Sequence, residues 1–430
     1  MSILLDNISI IPMTDPADFL EKGYIIIDGQ YIKEVGSGKA PAGDYELIID
    51  GTNRVVLPGF INAHTHAAMT LLRSYADDMP LMEWLETKVW PLEDKLTGED
   101  VFWGTMLAIT EMIKSGTTCF ADMYFFMDQA AQAVEKSGIR AVLSRGMVGV
   151  GPSADLALTE SRELVGKWHR RAKNRITVML GPHAPYTCPP DYLRKVIDLA
   201  AELGMALNIH IAETAGERED MIKTYGKSPV KHLETCGLFE RAVLAAHCVH
   251  VDEEDIAILK KYQVGVAHNP ESNMKLASGI APVPQMLAAG IPVALGTDGA
   301  SSNNNLDMLG ELRTAAFLHK VNTMDPTVLP AYQALEMATV NGAVALGLEQ
   351  ETGQLKAGMK ADMIIMSLEA AHMIPRYDIV ANIVYSGQAS DVETVIIDGR
   401  IIMQDRRILA FDEKEVLEQA KRCGERLVNS

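Results

Sequence analysis

The sequence predicts an α/β protein in which a (β/α)8 TIM barrel is joined to a small β domain built from both chain ends. Between residues 59 and 358, eight nearly continuous apolar runs alternate with helical stretches, and such runs are typical of parallel strands buried on both faces. Outside that range, residues 1–58 and 359–430 carry β-branched runs around Asp-Gly pairs. Neither end is long enough to form a stable sheet alone, so we expect the two ends to pair.

The terminal segments contain three candidate hairpins. Apolar β runs flank an Asp-Gly pair in GYIIIDGQYIKEVG, in YELIIDGTNRVVLPG and in VETVIIDGRIIMQDRRIL, at residues 28–29, 50–51 and 398–399. Asp-Gly in this setting is a signal for a tight hairpin turn. We expect almost no helix between residues 360 and 409.

The eight predicted barrel strands are, in order, GFINAHTH, TTCFADMY, RAVLSRGM, ITVMLGPHAPY, ALNIHIAE, AVLAAHCVH, VGVAHNPES and VALGTDGASS. Helical stretches before several of them end at a glycine, as left-handed C-caps do: Gly116, Gly138, Gly204 and Gly290. The alternative is a doubly wound open sheet. No early strand is followed by G-x-G-x-x-G, which counts against the nucleotide-binding version of that fold.

Composition excludes several classes of partner. The formal net charge is −18 over 430 residues, so we expect no nucleic acid partner and no anionic membrane surface. The five cysteines are scattered without a C-x-x-C pair, which favours a reducing cytoplasm over a disulfide framework. The N-terminus has neither a basic region nor a long apolar run. With 23 methionines in the chain, we expect a homo-oligomer.

Residues that can perform chemistry follow the apolar run of every predicted strand. They are His64 and His66, Asp122, Arg145, His183, His210 with Glu213, His247, His268 and Asp298. Barrel active sites lie at that rim, and packing alone does not explain a ring of polar groups converging from separate strands. The sequence therefore predicts an active site at the C-terminal ends of the strands.

His64 and His66 are two residues apart on one strand, so their side chains share a face with Phe60 and Asn62, which we expect to be the barrel interior. Two neutral imidazoles suit zinc, iron or nickel, and a catalytic site needs further protein ligands. By position at strands five and eight, His210 supplies the third ligand and Asp298 the fourth, for one divalent ion with zinc as the first expectation. A lone H-x-H pair also occurs as two structural histidines.

The remaining histidines have no assigned chemistry. We expect ordinary surface or interface positions for His169, His232, His319 and His372. His250 and His268 stay without a role.

The stretches PGFINAHTH, HIAE, AHCVH and GTDGASSNN resemble the amidohydrolase superfamily, in its mononuclear deaminase and chlorohydrolase branch. Through DDMPLMEWLETKVWPLED, SRGM and GPHAPYTC, the chain is most similar to the deaminases of 5'-methylthioadenosine and S-adenosylhomocysteine. The resemblance covers the whole chain. It implies a split β-sandwich flanking the barrel, and it implies deamination of these nucleosides, with adenosine as a further substrate, to the inosyl product and ammonia.

Carried over residue by residue, the resemblance implies a role for each site residue. His64, His66, His210 and Asp298 bind the metal; His247 orients the attacking water; Glu213 shuttles protons; Glu93, Arg145 and His183 contact the substrate. The water's proton is expected to pass to Asp298.

Two departures from related branches matter. HIAE stands where adenosine deaminases proper have H-A-G-E, and strand four has no lysine of the kind that bridges two metals, so one metal is expected. The same site also suits a guanine, oxopurine, pterin or triazine substrate, and a non-catalytic barrel scaffold is the alternative outside enzymes. The zinc base deaminases of nucleic acid are disfavoured, because H-x-E with P-C-x-x-C is absent.

Overall fold

The computed structural model describes residues 2–429. Its strands are β1 Ser2–Ile10, β2 Leu20–Asp28, β3 Tyr31–Ser37, β4 Leu47–Asp50, β5 Arg54–Pro58, β6 Phe60–Thr65, β7 Thr117–Tyr124, β8 Arg140–Met147, β9 Ile176–Pro182, β10 Leu207–Ile211, β11 Val243–His247, β12 Gly265–His268, β13 Val293–Leu295, β14 Met363–Ser367, β15 Val392–Ile397, β16 Arg400–Gln404 and β17 Arg407–Ile408.

The helices are α1 Leu81–Trp84, α2 Trp90–Glu93, α3 Gly98–Lys114, α4 Met127–Ser137, α5 Ala154–Trp168, α6 Arg171–Asn174, α7 Pro190–Leu203, α8 Ala215–Tyr225, α9 Pro229–Thr235, α10 Glu253–Lys261, α11 Pro270–Lys275, α12 Val283–Ala288, α13 Met308–Thr323, α14 Ala331–Met337, α15 Val340–Ala345, α16 Ile379–Tyr385 and α17 Glu413–Asn429. A π-helical turn, Leu85–Val89, connects α1 to α2. Within the described range, no helix combines the length and apolar character needed to cross a membrane.

The eight predicted strands form the barrel in chain order. Strands β6 to β13 pair each with the next, and every pairing is parallel. A small inner cluster that includes Ile61, Val142 and Leu244 fills the barrel, while a much larger cluster packs the outer helices against the strands. The fold class predicted from the sequence is confirmed.

The face predicted for the start of β6 is wrong. Phe60 packs in the outer cluster, whereas Ile61 and Ala63 point inward. The pairing of β6 with β7 slips at Phe60/Ile61 and again between Asn62 and Thr65, so strict alternation does not extend along this strand.

The side chain of Asn62 closes the seam between the first and last barrel strands. Its amide oxygen accepts a hydrogen bond from the Thr297 backbone at 3.0 Å, and its nitrogen donates to the Thr297 hydroxyl at 2.7 Å. The Asp298 backbone nitrogen donates to the His64 carbonyl at 2.9 Å. These bonds fix the end of β13 beside the end of β6, where the predicted ligands lie.

Both chain ends contribute to one nine-stranded mixed sheet. Its order is β17-β16-β15-β14-β5-β1-β2-β3, with β4 beside β1, and β14 joins the two ends by pairing antiparallel with β5. The sheet curls back on itself, since the turn at Gly399 meets the turn at Gly29 so closely that a Cβ on Gly399 would lie 1.8 Å from the Gly29 carbonyl oxygen. The domain boundaries after residues 58 and 358 stay a prediction.

Two of the three predicted hairpins are present, at residues 28–29 and 398–399. The third is wrong: the strands on either side of residues 50–51 both pair in parallel with β1 instead of with each other. The expectation of almost no helix between residues 360 and 409 is also wrong, because α16 lies there.

A buried ionic cluster connects the barrel to the mixed sheet. Arg140, at the start of β8, donates from Nε to Asp362 at 2.7 Å, and its guanidinium lies 3.7 Å from Asp398. Lys360 lies 3.3 Å from the same Asp398 carboxylate. All four side chains are buried, so the cluster fixes one face of the sheet against the base of the barrel.

Candidate active site

Three histidines and one aspartate from three barrel strands converge at the predicted rim. The ring centroid of His64 lies 5.0 Å from that of His66 and 4.8 Å from that of His210. The Asp298 Oδ1 atom lies 3.5 Å from His64 Nε2 and 3.4 Å from His66 Nε2. The structure thus brings together the four residues that the sequence suggested as metal ligands.

Asp298 is held by its backbone and by two serines. Its φ of 60° places it in the left-handed region, where a non-glycine residue is usually kept by its surroundings for a functional reason. Ser272 and Ser302 donate hydrogen bonds to Oδ2 at 2.7 and 3.0 Å. These bonds leave Oδ1 directed at the histidines.

The hydrogen bonds of His66 and His210 determine which nitrogen faces the site. Each ring donates from Nδ1 to a backbone carbonyl, His66 to Met123 at 2.6 Å and His210 to His183 at 2.7 Å. In the neutral rings Nε2 is then bare, and the two Nε2 atoms face each other at 3.2 Å. This is the arrangement in which histidines bind a metal.

The buried ring of His64 has unpartnered nitrogens that a cation would satisfy. It is fully buried, and both of its ring nitrogens lack a hydrogen-bond partner, which is costly unless another ligand satisfies them. Burial lowers the pKa of His64 to about 4 and that of His210 well below its usual range, so both rings are neutral and able to coordinate at pH 7. The donor set fits a divalent metal ion.

Glu213 lies beside this cluster, in the turn that follows β10. Its Oε2 atom is 3.8 Å from His247 Nε2. The Glu217 carboxylate accepts from the backbone nitrogens of Ala212 and Glu213 at 2.9 and 2.8 Å, which fixes the turn. Burial, with the negative charge of Asp298, raises the pKa of Glu213 to about 8. At neutral pH it therefore carries a proton that it can donate.

His247 ends β11 with φ of 73°. Its Nδ1 atom accepts from the side-chain amide of Asn273 at 3.0 Å and from that of Asn269 at 3.3 Å. A nitrogen atom of His247 also lies within 4.8 Å of ring nitrogens of His64 and His210.

Two of the three predicted substrate contacts border the site. The ring centroid of His183 lies 4.9 Å from that of His210, and its Nδ1 bonds to the Thr187 hydroxyl at 2.9 Å. Glu93 ends α2 and is half-buried. Burial raises its pKa, while a hydrogen bond from Tyr124, whose ring centroid lies 6.3 Å from that of His66, acts in the opposite direction. Their roles toward a substrate stay predictions.

Arg145 is placed differently. Val142 faces the barrel interior and Ser144 bonds to Asn208 there, so alternation puts Arg145 on the outer side of β8. Its Nε donates to Glu160 on α5 at 2.7 Å, and its guanidinium stacks 5.1 Å from the Phe125 ring centroid. The structure does not bring Arg145 beside the histidines, and its contact with a substrate stays a prediction.

The other strand-end residues have structural partners. Asp122 accepts from the Ala67 backbone at 2.7 Å and so fixes the turn after His66. His250 bonds through Nε2 to the Ser278 carbonyl at 2.6 Å. His268 turns away from the site and lies 3.2 Å, Nε2 to Nε2, from His319 on α13.

The expected surface positions of His232 and His319 are wrong, because both side chains are buried. His319 lies on the face of α13 that packs against β12 and its histidine. His232 stacks 4.2 Å from the Tyr225 ring. His169 and His372 are half-buried.

Sequence reasoning missed four polar residues that hold the site: Asn269, Ser272, Asn273 and Ser302. All four lie directly after strands seven and eight, in HNPESN and GASSNN, and all are buried. The density of Ser and Asn after two buried strands was the available signal, since buried polar side chains need partners.

Comparisons with known proteins show the family of the chain. A family model described as the amidohydrolase family matches residues 55–402. A protein of Syntrophomonas wolfei subsp. wolfei, named 5-methylthioadenosine/S-adenosylhomocysteine deaminase, is 68% identical over 429 residues, with 100% of both chains covered. A protein of Desulforamulus reducens with the same name is 54% identical, with 99% of each chain covered. A solved adenosine deaminase from Xanthomonas campestris with bound zinc is 33% identical, covers 100% of this chain and 99% of its own, and has a TM-score of 0.95.

Proposed function

Since the chain belongs to the amidohydrolase family and, within it, to the 5-methylthioadenosine/S-adenosylhomocysteine deaminases, we propose that it hydrolyses the 6-amino group of one or both of these nucleosides to the inosyl product and ammonia. The observation that carries the proposal is the convergence of the His64 and His66 imidazoles on one oxygen of Asp298, with the buried carboxyl of Glu213 beside them.

The ion is proposed to be single and to be zinc, with iron or nickel as alternatives. His64, His66, His210 and Asp298 would hold it. A divalent ion in such a site acidifies water at neutral pH and so supplies the nucleophile for hydrolysis. The two serines on Asp298 Oδ2 support this assignment, because they leave one oxygen of Asp298 for the site.

Side chains of the protein then donate and accept the protons of the reaction. Adenine resists attack at C6 unless N1 gains a proton as the carbon becomes tetrahedral. Glu213 is proposed to give that proton, and Asp298 to take one from the attacking water and pass it to the departing ammonia. As the C6 carbonyl forms, the proton left on the C6 oxygen returns to Glu213. His247 orients the water by a hydrogen bond. Positioned proton transfers of this kind contribute typically about 10²–10⁴-fold each.

The substrate contacts are proposed from the matching positions of the family. Glu93 would accept hydrogen bonds from two ribose hydroxyls, and His183 would contact the purine. Arg145 would meet the amino-acid carboxylate of S-adenosylhomocysteine, for which it must leave or share its present bond to Glu160.

We also propose that the chain works as a cytoplasmic homo-oligomer. Phe317, Val321 and Met324 form an exposed apolar stripe on α13 and the residue after it, and the five cysteines are free. Sedimentation of the wild type and of Val321→Lys tests the association; a wild type that sediments as a monomer contradicts it.

A substrate panel tests the function. Ammonia release is measured with zinc-loaded protein on 5'-methylthioadenosine, S-adenosylhomocysteine, adenosine and guanine. The proposal predicts the highest kcat/KM on one of the first two. Preference for guanine, or no release from any nucleoside, contradicts it.

A further inference from the structure

We propose that Asn273, assisted by Asn269, fixes His247 as a hydrogen-bond donor toward the reaction centre, and that Asn273 is therefore a positioning residue for the deamination. His247 lies close enough to His64 and His210 for its ring nitrogen to act as a ligand. Which of the two roles it takes depends on which ring nitrogen holds the proton.

Asn269 and Asn273 lie beside His247 on neighbouring turns of the chain. Asn269 precedes α11 and Asn273 lies within it, one helical turn further on, and the Asn273 backbone nitrogen donates to the Asn269 carbonyl at 3.0 Å. The two side chains are 0% and 1% exposed. Both amide nitrogens approach the same atom, His247 Nδ1, at 3.3 and 3.0 Å.

Two amide donors on Nδ1 require a lone pair there. In the neutral imidazole one nitrogen is a donor and the other an acceptor, so the proton of His247 is on Nε2. The Nε2 atom is the one that lies 3.8 Å from Glu213, so its N–H points to the side of the site where protons are transferred.

In His247 the proton is therefore on the other ring nitrogen than in the predicted ligands His66 and His210. His66 and His210 donate from Nδ1 to carbonyl oxygens and present bare Nε2 atoms. His247 accepts at Nδ1 and presents an N–H, which cannot coordinate a metal but can hold the oxygen of the attacking water. The sequence places histidine at all three positions, and the neighbouring residues separate their roles.

One turn of α11 positions both groups that face the attacking water. Ser272 bonds to Asp298 Oδ2 at 2.7 Å, and the next residue, Asn273, bonds to His247. An Asp298 carboxylate and a His247 donor are thus set by adjacent side chains on one rigid element.

The test uses Asn273→Asp, which keeps the shape of the side chain and exchanges its donor for an acceptor. The carboxylate should draw the proton of His247 to Nδ1. Because a histidine in the wrong tautomer leaves the geometry intact and removes the proton function, kcat should fall roughly 10²–10⁴-fold. The KM and the zinc content should stay within about threefold of wild type. Asn341→Asp is the matched control, since Asn341 bonds to the Val293 carbonyl at 3.1 Å, away from the site; it should keep kcat.

The tautomer itself is read by NMR of zinc-loaded wild-type protein labelled with 15N-histidine, with His247→Gln to assign the signal. We expect a protonated Nε2 and an unprotonated Nδ1 in the wild type, and the reverse in Asn273→Asp. A wild-type His247 protonated at Nδ1, or an Asn273→Asp protein with unchanged kcat, overturns the inference. The catalytic part rests on the proposed function, but the NMR result does not: a protein that releases no ammonia fails the proposed function and still reports its tautomer.

Discussion

Replacing Glu213 by Gln should remove most of the activity and at the same time stabilise the metal-free protein. Gln keeps the volume and polarity of Glu213 but has no acidic proton to give to the purine ring. A positioned acid contributes about 10²–10⁴-fold to the rate, so we expect a loss of that size in kcat, with zinc content unchanged.

The stability change follows from the burial of this carboxyl. Its pKa is raised from 4.5 to about 8 in the folded protein, so the folded state holds a proton that the unfolded chain releases above pH 4.5. The free energy of unfolding therefore falls as pH rises from 4.5 towards 8. Between pH 4.5 and pH 7 the loss is about 1.4 kcal/mol per pH unit, or roughly 3–4 kcal/mol at pH 7, which Glu213→Gln should recover.

The assay pairs ammonia release with urea denaturation of the chelated protein at pH 5 and pH 7. The stabilisation should be larger at pH 7 than at pH 5, because the unfolded carboxyl is more fully ionised there. Glu217→Gln is the comparison: burial raises the pKa of Glu217 to about 7 as well, but its two oxygens accept two backbone hydrogen bonds, of which Gln can keep only one, so its gain at pH 7 should be smaller than that of Glu213→Gln. A Glu213→Gln protein that keeps more than a tenth of wild-type kcat would show that Glu213 is not the proton donor. One that unfolds more easily than wild type at pH 7 would show that burial of this carboxyl does not lower the stability.

Three further substitutions test other parts of the structure. Ser272→Ala removes one of two donors to Asp298 Oδ2, so zinc affinity measured by chelator competition should fall about 10- to 100-fold; unchanged affinity would mean that Ser302 alone holds Asp298. Arg140→Met leaves the buried Asp362 carboxylate without an ion-pair partner, while Asp398 keeps Lys360, and should lower the free energy of unfolding by about 3–5 kcal/mol, read by urea denaturation; a loss below 1 kcal/mol would show the cluster to be dispensable. Glu93→Gln should lower kcat/KM for 5'-methylthioadenosine about 10- to 100-fold through weaker hydrogen bonds to ribose, and an unchanged value would remove Glu93 from the substrate site.

The barrel was predictable because each of its strands is apolar on both faces and each run ends in a polar residue. The hairpin at 398–399 was predictable from its turn residues, whereas the one expected at 50–51 was not formed. There, β2 occupies one edge of β1, and β4 and then β5 pair in succession with the other edge; this tertiary pairing overrides the local turn signal. The orientation of Phe60 was predicted wrongly because β6 has two register shifts in its pairing with β7, and the residue types alone do not indicate them.

The convergence of His64, His66, His210 and Asp298 was predictable because these residues lie at strand ends, and barrel geometry alone brings strand ends together. Asn273 and Ser272 were not, since a short helix after a strand shows no pattern that tells which side chain turns back to the rim. Arg145 was predicted to lie in the site because it is at a strand end. Side-chain alternation along β8 instead directs it outward to Glu160. The burial of His319 depends on which face of α13 meets the barrel, which helix periodicity alone does not assign to a particular neighbour.

Zinc titration of the chelated protein tests whether one metal ion per chain supports the deamination. The protein is stripped of metal, zinc is added back in known amounts, and ammonia release from 5'-methylthioadenosine and S-adenosylhomocysteine is followed at pH 7. We expect no activity without metal and a linear rise that ends at one equivalent per chain. Full activity in the stripped protein, or a rise that continues to two equivalents, would contradict it.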